Sequence, residues 1–493
     1  MTLLDVRTVV GILGALLFFL GVALLAPMLV SIGYGESEWP AFAISAGVGL
    51  LIGGLAWWKY RPQKEFGVRE GFVIVASSWF VLSLLGAAPF VLGGVLTSYT
   101  DAFFETMSGL TTTGATILGG AHTPTIESLP KAFLFWRSLA HWLGGMGIIV
   151  LTLAILPILG VGGMQLFRAE VPGPSADKLT PRVKETAKRL WLIYFGITVI
   201  EILLLLPAMD LFESVNHAFA TMATGGFSTR NGSVGDFNSP YVEWVITIFM
   251  IAAGVNFSLH YRLLHGKVGP VFRDPELRFY LVTILVSTGI IAASIYGAST
   301  LGAVQYPSLG EAVRTAVFQA ASIVTTTGFG TADYELWPPL AVGVMFFLFF
   351  AGGMAGSTGG GIKAIRHLLL YKHTFVEIKR LVHPQAIIPV RLNDQVVSPD
   401  IMRNVLSFVV LYVATACVGA MALTLVGMDL LTALGGAISA LGNIGPAFGT
   451  LGPTENYAHV PAVGKWVLSM LMMLGRLEIF TVLVLFVPAF WRR

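Results

Sequence analysis

Long runs of apolar residues, separated by short polar segments, recur along the whole chain. Most of them contain about 20 residues or more, which is enough for an α-helix to cross a hydrocarbon core of about 30 Å. A water-soluble fold could not bury so many runs of this length. The pattern therefore predicts an all-α polytopic membrane protein with ten spans, near residues 9–32, 40–58, 71–96, 131–160, 187–209, 241–262, 279–300, 338–371, 401–427 and 463–491.

Four shorter apolar segments lie between pairs of the later spans, at residues 101–111, 213–223, 311–325 and 430–441. Segments of this length are too short to cross a bilayer and are typical of re-entrant helices. If each one returns to the side it entered from, 24 of the 30 Lys and Arg residues lie on one side of the membrane. By the positive-inside rule that side is the cytoplasm, and both termini are predicted to face it. Those basic residues are Arg7 and the clusters at 59–69, 168–189, 262–278, 363–403 and 492–493.

The composition restricts the function classes. Charged residues make up 12% of the 493 positions, about half the share found in a soluble domain. The single cysteine, Cys417, lies inside an apolar run and allows no disulfide or thiolate metal cluster within the chain. His, Asp and Cys residues form no catalytic constellation and no metal-ligand spacing, so we expect no enzyme activity and no organic cofactor. The predicted partner from composition is the lipid bilayer and not nucleic acid.

A pattern of span, short helix, turn and span occurs four times from residue 71 onward. Aligning the four turns superimposes a glycine in each, and a small residue stands six positions earlier. The glycines are Gly114, Gly226, Gly328 and Gly445, and the small residues are Ser108, Ala220, Ser322 and Ser439. Internal repetition of this kind defines the architecture. We expect a two-helix extension at 1–60, repeats at 71–165, 185–265, 277–371 and 401–493 around a pseudo-four-fold pore, and a cytoplasmic loop at 372–400.

The Thr- and Gly-rich turns suit an ion-selectivity filter. Non-helical backbone survives at membrane depth only inside protein or beside a water-filled path. Glycine readily adopts the unusual φ and ψ values that let successive carbonyls face one axis, and rings of carbonyl oxygens can replace the hydration shell of K⁺. Each turn taken singly also fits an ordinary helix C-cap with a left-handed glycine. The predicted filter residues are Thr112, Thr113, Gly114, Ala115, Thr224, Gly225, Gly226, Phe227, Thr326, Thr327, Gly328, Phe329, Asn443, Ile444, Gly445 and Pro446.

The four turns are unequal. The first and third are rich in threonine, the second contains two adjacent glycines, and the fourth reads Asn-Ile-Gly-Pro at 443–446. We therefore expect no strict four-fold symmetry, and a selectivity for K⁺ that is looser than in a tetramer of identical loops.

The span after the third turn contains a run of small residues at 351–361. Each Gly in a helix interior costs about 1 kcal/mol relative to Ala, so we expect a broken helix with a loop in the middle of the membrane. Arg476, deep in the last span, costs at least about 2.5 kcal/mol to insert and is expected to face a cavity beneath the filter. Close helix packing through the small residues and an ion pair between Arg476 and an acid on another helix, such as Glu201, remain alternatives. The predicted gate comprises Gly352, Gly353, Gly356, Ser357, Thr358, Gly359, Gly360, Gly361 and Arg476.

Three motifs extend this interpretation: Trp-Leu-Gly-Gly-Met-Gly-Ile at 142–148, Gly-Gly-Met-Ala-Gly-Ser-Thr-Gly-Gly-Gly-Ile-Lys at 352–363 and Gly-Arg-Leu-Glu-Ile-Phe at 475–480. Together with the four turns they resemble the bacterial Trk potassium-uptake transmembrane subunits, the TrkH, TrkG and TrkI group of the TrkH/KtrB/HKT superfamily. The resemblance covers essentially the whole chain, including the N-terminal helix pair that KtrB proteins lack. It implies a gated pore for K⁺ and Rb⁺ in preference to Na⁺, in the bacterial inner membrane.

The resemblance also implies two protein partners. One is a second copy of the chain, in a homodimer with one pore per subunit. The other is a cytoplasmic TrkA-type regulator that binds a nucleotide such as NAD or ATP. Its docking surface would be the basic loops, above all 363–403, where residues 386–397 are predicted to form a hairpin about Asn393 and Asp394. A secondary K⁺ transporter coupled to H⁺ or Na⁺ is the main alternative, although such carriers are typically built from two-fold repeats.

Overall fold

The computed structural model describes residues 4–61, 67–120, 122–158, 183–300, 303–304, 306–392 and 395–491. Within these ranges the chain is mostly α-helical, and β-structure is limited to two short antiparallel hairpins and one isolated bridge. Five of the described helices are long and apolar enough to cross a membrane, and two bent helix pairs also qualify if each pair is one span. The prediction of an all-α polytopic membrane protein is confirmed.

Two N-terminal helices, Val6–Tyr34 and Trp39–Tyr60, pack along each other. Glycines permit their close approach, since a β-carbon on Gly53 would lie 2.4 Å from the backbone nitrogen of Phe18. Small residues at such contacts let helix backbones approach closely within a membrane. The pair then packs against the first repeat.

Four units of helix, short helix and helix follow around a central pseudo-four-fold axis. The helices of the first unit are Val68–Leu92, Tyr99–Leu110 and Lys131–Ile158, and those of the second are Val183–Leu205, Leu211–Met222 and the bent pair Pro240–Ala253 with Phe257–Leu264. The third unit consists of Pro275–Ile295, Leu309–Val324 and the interrupted pair Pro339–Leu348 with Ala364–Val382. The fourth consists of Pro399–Leu425, Leu430–Gly442 and the bent pair Ala462–Arg476 with Phe480–Leu483. We call the middle members, Tyr99–Leu110, Leu211–Met222, Leu309–Val324 and Leu430–Gly442, short helices 1 to 4. The connections contain helices Val268–Phe272 and Pro488–Trp491, the 3₁₀ turns Ile126–Ser128, Ser233–Phe237, Tyr334–Leu336, Gly449–Leu451 and Val484–Phe486, and the paired strands Ser299–Thr300 with Ala303–Val304 and Arg391–Leu392 with Gln395–Val396.

The four short helices begin in the same way. The side chains of Ser98, Asp210, Ser308 and Asp429 each accept a hydrogen bond from the backbone nitrogen three residues later, at 3.4, 2.7, 3.2 and 3.1 Å. Ser and Asp are favoured at this position because they satisfy an N–H group that has no partner inside the helix. The helices agree with the four predicted re-entrant segments to within two residues at each end.

Two predicted spans are bent rather than straight, so the prediction of continuous helices there is wrong. The span 241–262 turns by 102°, where the side chain of Asn256 caps a new helix. The span 463–491 turns by 109° at Glu478 and Ile479, whose φ values of 55° and 56° are left-handed. Such values end a right-handed helix.

The second helix of the third repeat is interrupted, as the sequence predicts. Helix Pro339–Leu348 is followed by a loop, and the chain becomes helical again at Ala364–Val382. This second segment extends into the region 372–400 that the sequence analysis assigns to a loop. The extension is supported by a contact between charged side chains one turn apart, Glu377 and Arg380, at 2.5 Å.

Candidate functional site

Within two residues after its last residue, each short helix is followed by a residue with a left-handed backbone: Thr112, Thr224, Thr326 or Asn443, with φ of 54°, 53°, 59° and 53°. The N–H of the following residue donates to a backbone oxygen five positions earlier, at 2.8 to 3.0 Å. That oxygen belongs to the small residue that the repeat alignment superimposes, namely Ser108, Ala220, Ser322 and Ser439. The bond is typical of a Schellman-type helix end. The turns are therefore helix C-caps, but the capping residue lies two positions before the glycine.

Gly114, Gly226, Gly328 and Gly445 add a second left-handed residue to each turn, with φ of 79°, 80°, 81° and 101°. A β-carbon built on each glycine would lie 2.0, 2.1, 2.0 and 2.6 Å from a backbone oxygen of the next turn. Those oxygens belong, in the same order, to Gly225, Thr327, Ile444 and Thr113. The contacts run from the first turn to the second, third and fourth and back to the first. The segments 112–115, 224–227, 326–329 and 443–446 thus form a closed cycle, which we call the four-turn ring.

The first three turns bury their side chains and leave main chain accessible. Gly114, Gly226 and Gly328 are half-buried. The polar side chains before them are buried: Thr112, Thr113, Thr224, Thr326 and Thr327. Accessible oxygen atoms on this surface therefore come from the backbone.

The fourth turn differs from the others. Gly445 is buried, and its backbone oxygen accepts hydrogen bonds from the hydroxyls of Ser439 at 3.1 Å and Tyr457 at 2.6 Å. The Asn443 amide donates to the hydroxyl of Thr113 at 3.0 Å, which fastens the fourth turn to the first. The inequality expected from the sequence is thus present in the hydrogen bonding.

A buried ion pair braces the first two turns. Glu105 and Arg137, with side chains 0% and 1% exposed, contact at 2.8 Å. Glu105 also accepts hydrogen bonds from the hydroxyl of Thr116 at 2.9 Å and the backbone nitrogen of Ile117 at 3.0 Å, while Arg137 donates to the backbone oxygen of Ser228 at 3.1 Å. The sequence analysis misses this pair. The sequence does contain a signal for this pair, namely Glu105 in a short apolar segment and Arg137 inside a span. Charges at membrane depth are costly and are usually retained only with a partner.

His141 connects the same two turns. Its Nε2 accepts a hydrogen bond from the backbone nitrogen of Phe227 at 3.2 Å, so the ring proton lies on Nδ1. Nδ1 donates to the backbone oxygen of Gly109 at 2.7 Å. The imidazole therefore acts as a spacer between short helix 1 and the second turn.

The glycine-rich loop 351–361 lies directly against the four-turn ring. The backbone nitrogen of Gly360 donates to the hydroxyl of Thr326 at 2.6 Å, and the hydroxyl of Thr358 donates to the backbone oxygen of Met222 at 3.0 Å. A β-carbon on Gly360 would lie 2.4 Å from the backbone oxygen of the last residue of short helix 4. The other predicted gate residues of this loop differ in exposure. Those that are buried are Gly352, Gly353, Ser357 and Gly359, whereas Gly361 is half-buried and Gly356 is exposed.

Arg476 joins this loop to the first repeat. It is 3% exposed, and its guanidinium donates to the backbone oxygens of Thr358 at 2.8 Å and Gly144 at 3.1 Å. The alternative of an ion pair with Glu201 is wrong, because neither Glu201 carboxylate oxygen has a partner among the described residues. The structure thus brings Arg476 and the glycine-rich loop together beside the ring.

Two further contacts hold the loop and the bend of the last helix. The carboxylate of Glu276 accepts a hydrogen bond from the backbone nitrogen of Ala355 at 2.7 Å. Arg366, just after the loop, forms an ion pair with Glu478 at the bend. Movement of the loop would therefore displace the bend of the last helix through this ion pair.

The structure contains the two strands of the predicted hairpin, Arg391–Leu392 and Gln395–Val396, which pair in antiparallel orientation. Its predicted turn residues 393–394 lie outside the described residues. Leu392 belongs to one apolar cluster with Ala355 of the glycine-rich loop. The hairpin and the loop are consequently parts of one packed unit.

A family model for TrkH, described as a cation transport protein, matches residues 39–493. The chain belongs to the TrkH family. The Trk system potassium uptake protein TrkH of Escherichia coli K12 is 43% identical to it over 491 residues, with 99% of each chain covered. The TrkG protein of the same strain is 36% identical over 494 residues, again with 99% of each chain covered. The crystal structure of the potassium transporter TrkH from Vibrio parahaemolyticus matches with a TM-score of 0.88 at 37% identity, covering 99% of this chain and 100% of that chain.

Membership of the TrkH family confirms the resemblance carried by the sequence motifs. It classifies the chain as an ion-transport protein and not as an enzyme. The match over nearly the full length of both chains also confirms the architecture of an N-terminal helix pair and four repeats.

Proposed function

We propose that this TrkH-family protein takes up K⁺, and Rb⁺ in its place, across the bacterial inner membrane through the centre of the four-turn ring. The observation that carries the proposal is the closed cycle in which each left-handed glycine abuts a backbone oxygen of the next turn. Accessible main chain in such a ring offers carbonyl oxygens, which can replace the hydration shell of K⁺. The names of the relatives, which describe potassium uptake, support the same ion.

We expect moderate rather than strict selectivity for K⁺ over Na⁺, and low affinity. The backbone oxygen of Gly445 is occupied by two hydrogen bonds, so the fourth turn contributes less to ion coordination than the others. An ion bound at this level meets an unequal set of oxygens. A site with unequal oxygen ligands fits one ion size less closely, so it discriminates less strongly between K⁺ and Na⁺.

The glycine-rich loop and Arg476 act as the gate in this proposal, and the described conformation is closed. A K⁺ ion about 4 Å from the Arg476 guanidinium would be repelled by about 4 kcal/mol at an effective dielectric constant of about 20. That repulsion lowers ion occupancy by roughly a thousandfold. The described hydrogen bonds of Arg476 are both to backbone oxygens, so moving the loop that carries Thr358 would remove one of its two contacts and loosen it.

Regulation from the cytoplasm would act on the same loop. The resemblance to Trk subunits supports a TrkA-type nucleotide-binding partner and a second copy of the chain. The apolar cluster shared by the hairpin and Ala355 offers a mechanical path from a docked regulator to the gate. We expect the docking surface to include this hairpin and helix Ala364–Val382.

The test is ⁸⁶Rb⁺ uptake into KCl-loaded proteoliposomes containing wild-type protein, Arg476→Ala or Arg403→Ala. Arg403 forms an exposed ion pair with Asp400, so its removal controls for the loss of one positive charge. We expect faster uptake with Arg476→Ala, unchanged uptake with Arg403→Ala, and little suppression by external Na⁺. A wild-type rate in Arg476→Ala would refute closure at Arg476. Uptake that requires a H⁺ or Na⁺ gradient would instead identify a coupled carrier.

A further inference from the structure

Glu201 is a buried acid that the proposed ion pathway does not use. It lies in helix Val183–Leu205, within the apolar run Ile-Thr-Val-Ile-Glu-Ile-Leu-Leu-Leu at 197–205. Glu201 is 0% exposed, and neither carboxylate oxygen has a hydrogen-bond or ion-pair partner among the described residues. Burying an ionised carboxylate without a partner costs several kcal/mol. An ionisable residue inside a membrane segment is therefore a candidate functional site.

The polar side chain that approaches this carboxyl is Thr221 on short helix 2. The Thr221 hydroxyl donates its proton to the backbone oxygen of His217 at 2.8 Å, so that proton is not available to Glu201. The hydroxyl oxygen can still accept a hydrogen bond, and a protonated carboxylic acid supplies the donor. A carboxylate, which only accepts, would face an oxygen with no proton to give. The local geometry therefore fits the neutral acid and not the anion.

No described cation compensates Glu201 from the neighbouring helices, which are Lys131–Ile158, Leu211–Met222, Pro240–Ala253 and Phe257–Leu264. The phenol of Tyr194, on the same helix as Glu201, is in electrostatic range of both Glu201 and Arg476. Among the side chains that the structure describes on these five helices, the remaining titratable or charged groups are Lys131, Arg137, His141, Glu185, Lys188, Arg189, Glu213, His217, Tyr241, Glu243, His260, Tyr261 and Arg262.

We propose that Glu201 is a proton-binding site, which carries its proton in the described conformation and releases it as the gate opens. Its neighbour Thr221 immediately precedes Met222, whose backbone oxygen holds the Thr358 hydroxyl of the glycine-rich loop at 3.0 Å. Thr358 in turn holds Arg476 at 2.8 Å. An ionised Glu201 adds a negative charge in electrostatic range of Tyr194, which is itself in range of Arg476, and so weakens the hold of these carbonyls on the guanidinium. Proton release and movement of Arg476 are thereby linked.

Infrared difference spectra of reconstituted wild-type and Glu201→Gln protein at neutral pH test the site without any transport measurement. A protonated carboxylic acid has a carbonyl stretch that carboxylates and glutamine lack. We expect this band in the wild-type protein and its loss in Glu201→Gln, while Glu213→Gln, which removes a carboxylate paired with Arg230, retains it. We also expect Glu201→Gln to unfold at the wild-type temperature, since glutamine is a neutral isostere that still donates to Thr221.

Three results would overturn the proton site. One is the loss of a carboxylate band, instead of an acid band, in Glu201→Gln. Another is a carboxylate signal that appears only with K⁺ or Na⁺, which would identify a cation site. The third is failure of Glu201→Gln to fold, because a neutral isostere should replace a neutral acid.

The link to gating rests on the proposed function and has its own measurement. ⁸⁶Rb⁺ uptake by wild-type protein should rise from mildly acidic to alkaline pH, and this rise should be about fivefold smaller in Glu201→Gln, within the usual range of coupling between sites. An equal rise in both proteins would overturn the link to gating. Absence of Rb⁺ uptake by wild-type protein at every pH would count against the proposed function and would leave the infrared result standing.

Discussion

Replacing Gly328 with alanine tests the four-turn ring directly. Gly328 has a φ of 81°, and a left-handed conformation costs an L-residue about 1–2 kcal/mol. A β-carbon there would also lie 2.0 Å from the backbone oxygen of Ile444, whereas real β-carbons essentially never come within 3.0 Å of another atom. The fourth turn must therefore retreat by about 1 Å, or the third turn must change conformation.

We expect Gly328→Ala to lower the free energy of unfolding by at least about 1–2 kcal/mol. The effect on transport should be larger than the effect on stability, because ion selectivity depends on where the carbonyl oxygens stand. Rb⁺ uptake should fall, and the discrimination between Rb⁺ and Na⁺ should weaken. Denaturant unfolding in detergent and ⁸⁶Rb⁺ uptake with competing Na⁺ measure the two effects separately.

Gly289→Ala is the matched control. Gly289 lies inside helix Pro275–Ile295, and a β-carbon there would meet nothing within 4 Å. Alanine is favoured over glycine in a helix by about 1 kcal/mol, so this variant should be as stable as wild type or more stable. If Gly328→Ala behaved like Gly289→Ala, with wild-type uptake and discrimination, the close contacts inferred for the ring would be refuted.

Two further predictions concern carboxylates outside the gate. Glu105→Gln leaves the guanidinium of Arg137 buried without its partner and should cost about 3–5 kcal/mol of unfolding free energy, measured by denaturant titration. Burial raises the pKa of Glu335, in the loop after short helix 3, and the nearby carboxylates of Asp333 and Glu455 raise it further. Because the folded state then binds the Glu335 proton more tightly than the unfolded state, stability should fall as pH rises through the raised pKa. In thermal unfolding at a series of pH values, Glu335→Gln should show a smaller fall.

Each of these predictions has its own control. Glu213→Gln removes a partly exposed partner of Arg230 and should cost less than about 1 kcal/mol. Equal losses in Glu105→Gln and Glu213→Gln would contradict the brace behind the first two turns. For Glu335, the same pH dependence in wild type and in the glutamine variant would show that the pKa of this carboxyl is not raised in the folded protein.

Much of the fold is predictable from local features of the chain. The short helices agree with their predicted segments to within two residues. Each segment is too short to cross the membrane, and polar cap residues mark where its helix begins. The spacing of Gly114, Gly226, Gly328 and Gly445 likewise identifies the turns, since each position needs a left-handed backbone. The run of glycines at 351–361 identifies the break in the third repeat for a similar reason.

The errors and omissions have a common cause. The bends at Asn256 and at Glu478 and Ile479 contain no proline, so the strongest helix-breaking signal is missing from the local sequence there. The charged pair of Glu105 and Arg137 is visible only as two isolated charges in apolar surroundings. Which groups meet depends on packing between segments that are far apart in the chain.

Arg476 illustrates the division between sequence and tertiary structure. The sequence by itself determined that a charge inside the last span must either face a cavity or be held by a partner, because a lone charge in hydrocarbon is costly. Only the tertiary structure decided that those partners are the backbone oxygens of Thr358 and Gly144, and that Glu201 has no partner within the part of the chain that the structure describes. Apolar length and glycine conformation are properties of a short stretch of chain. The closed ring and its contacts with the glycine-rich loop are made by close backbone approaches and hydrogen bonds between different repeats, and those form only when all four repeats have assembled around one axis.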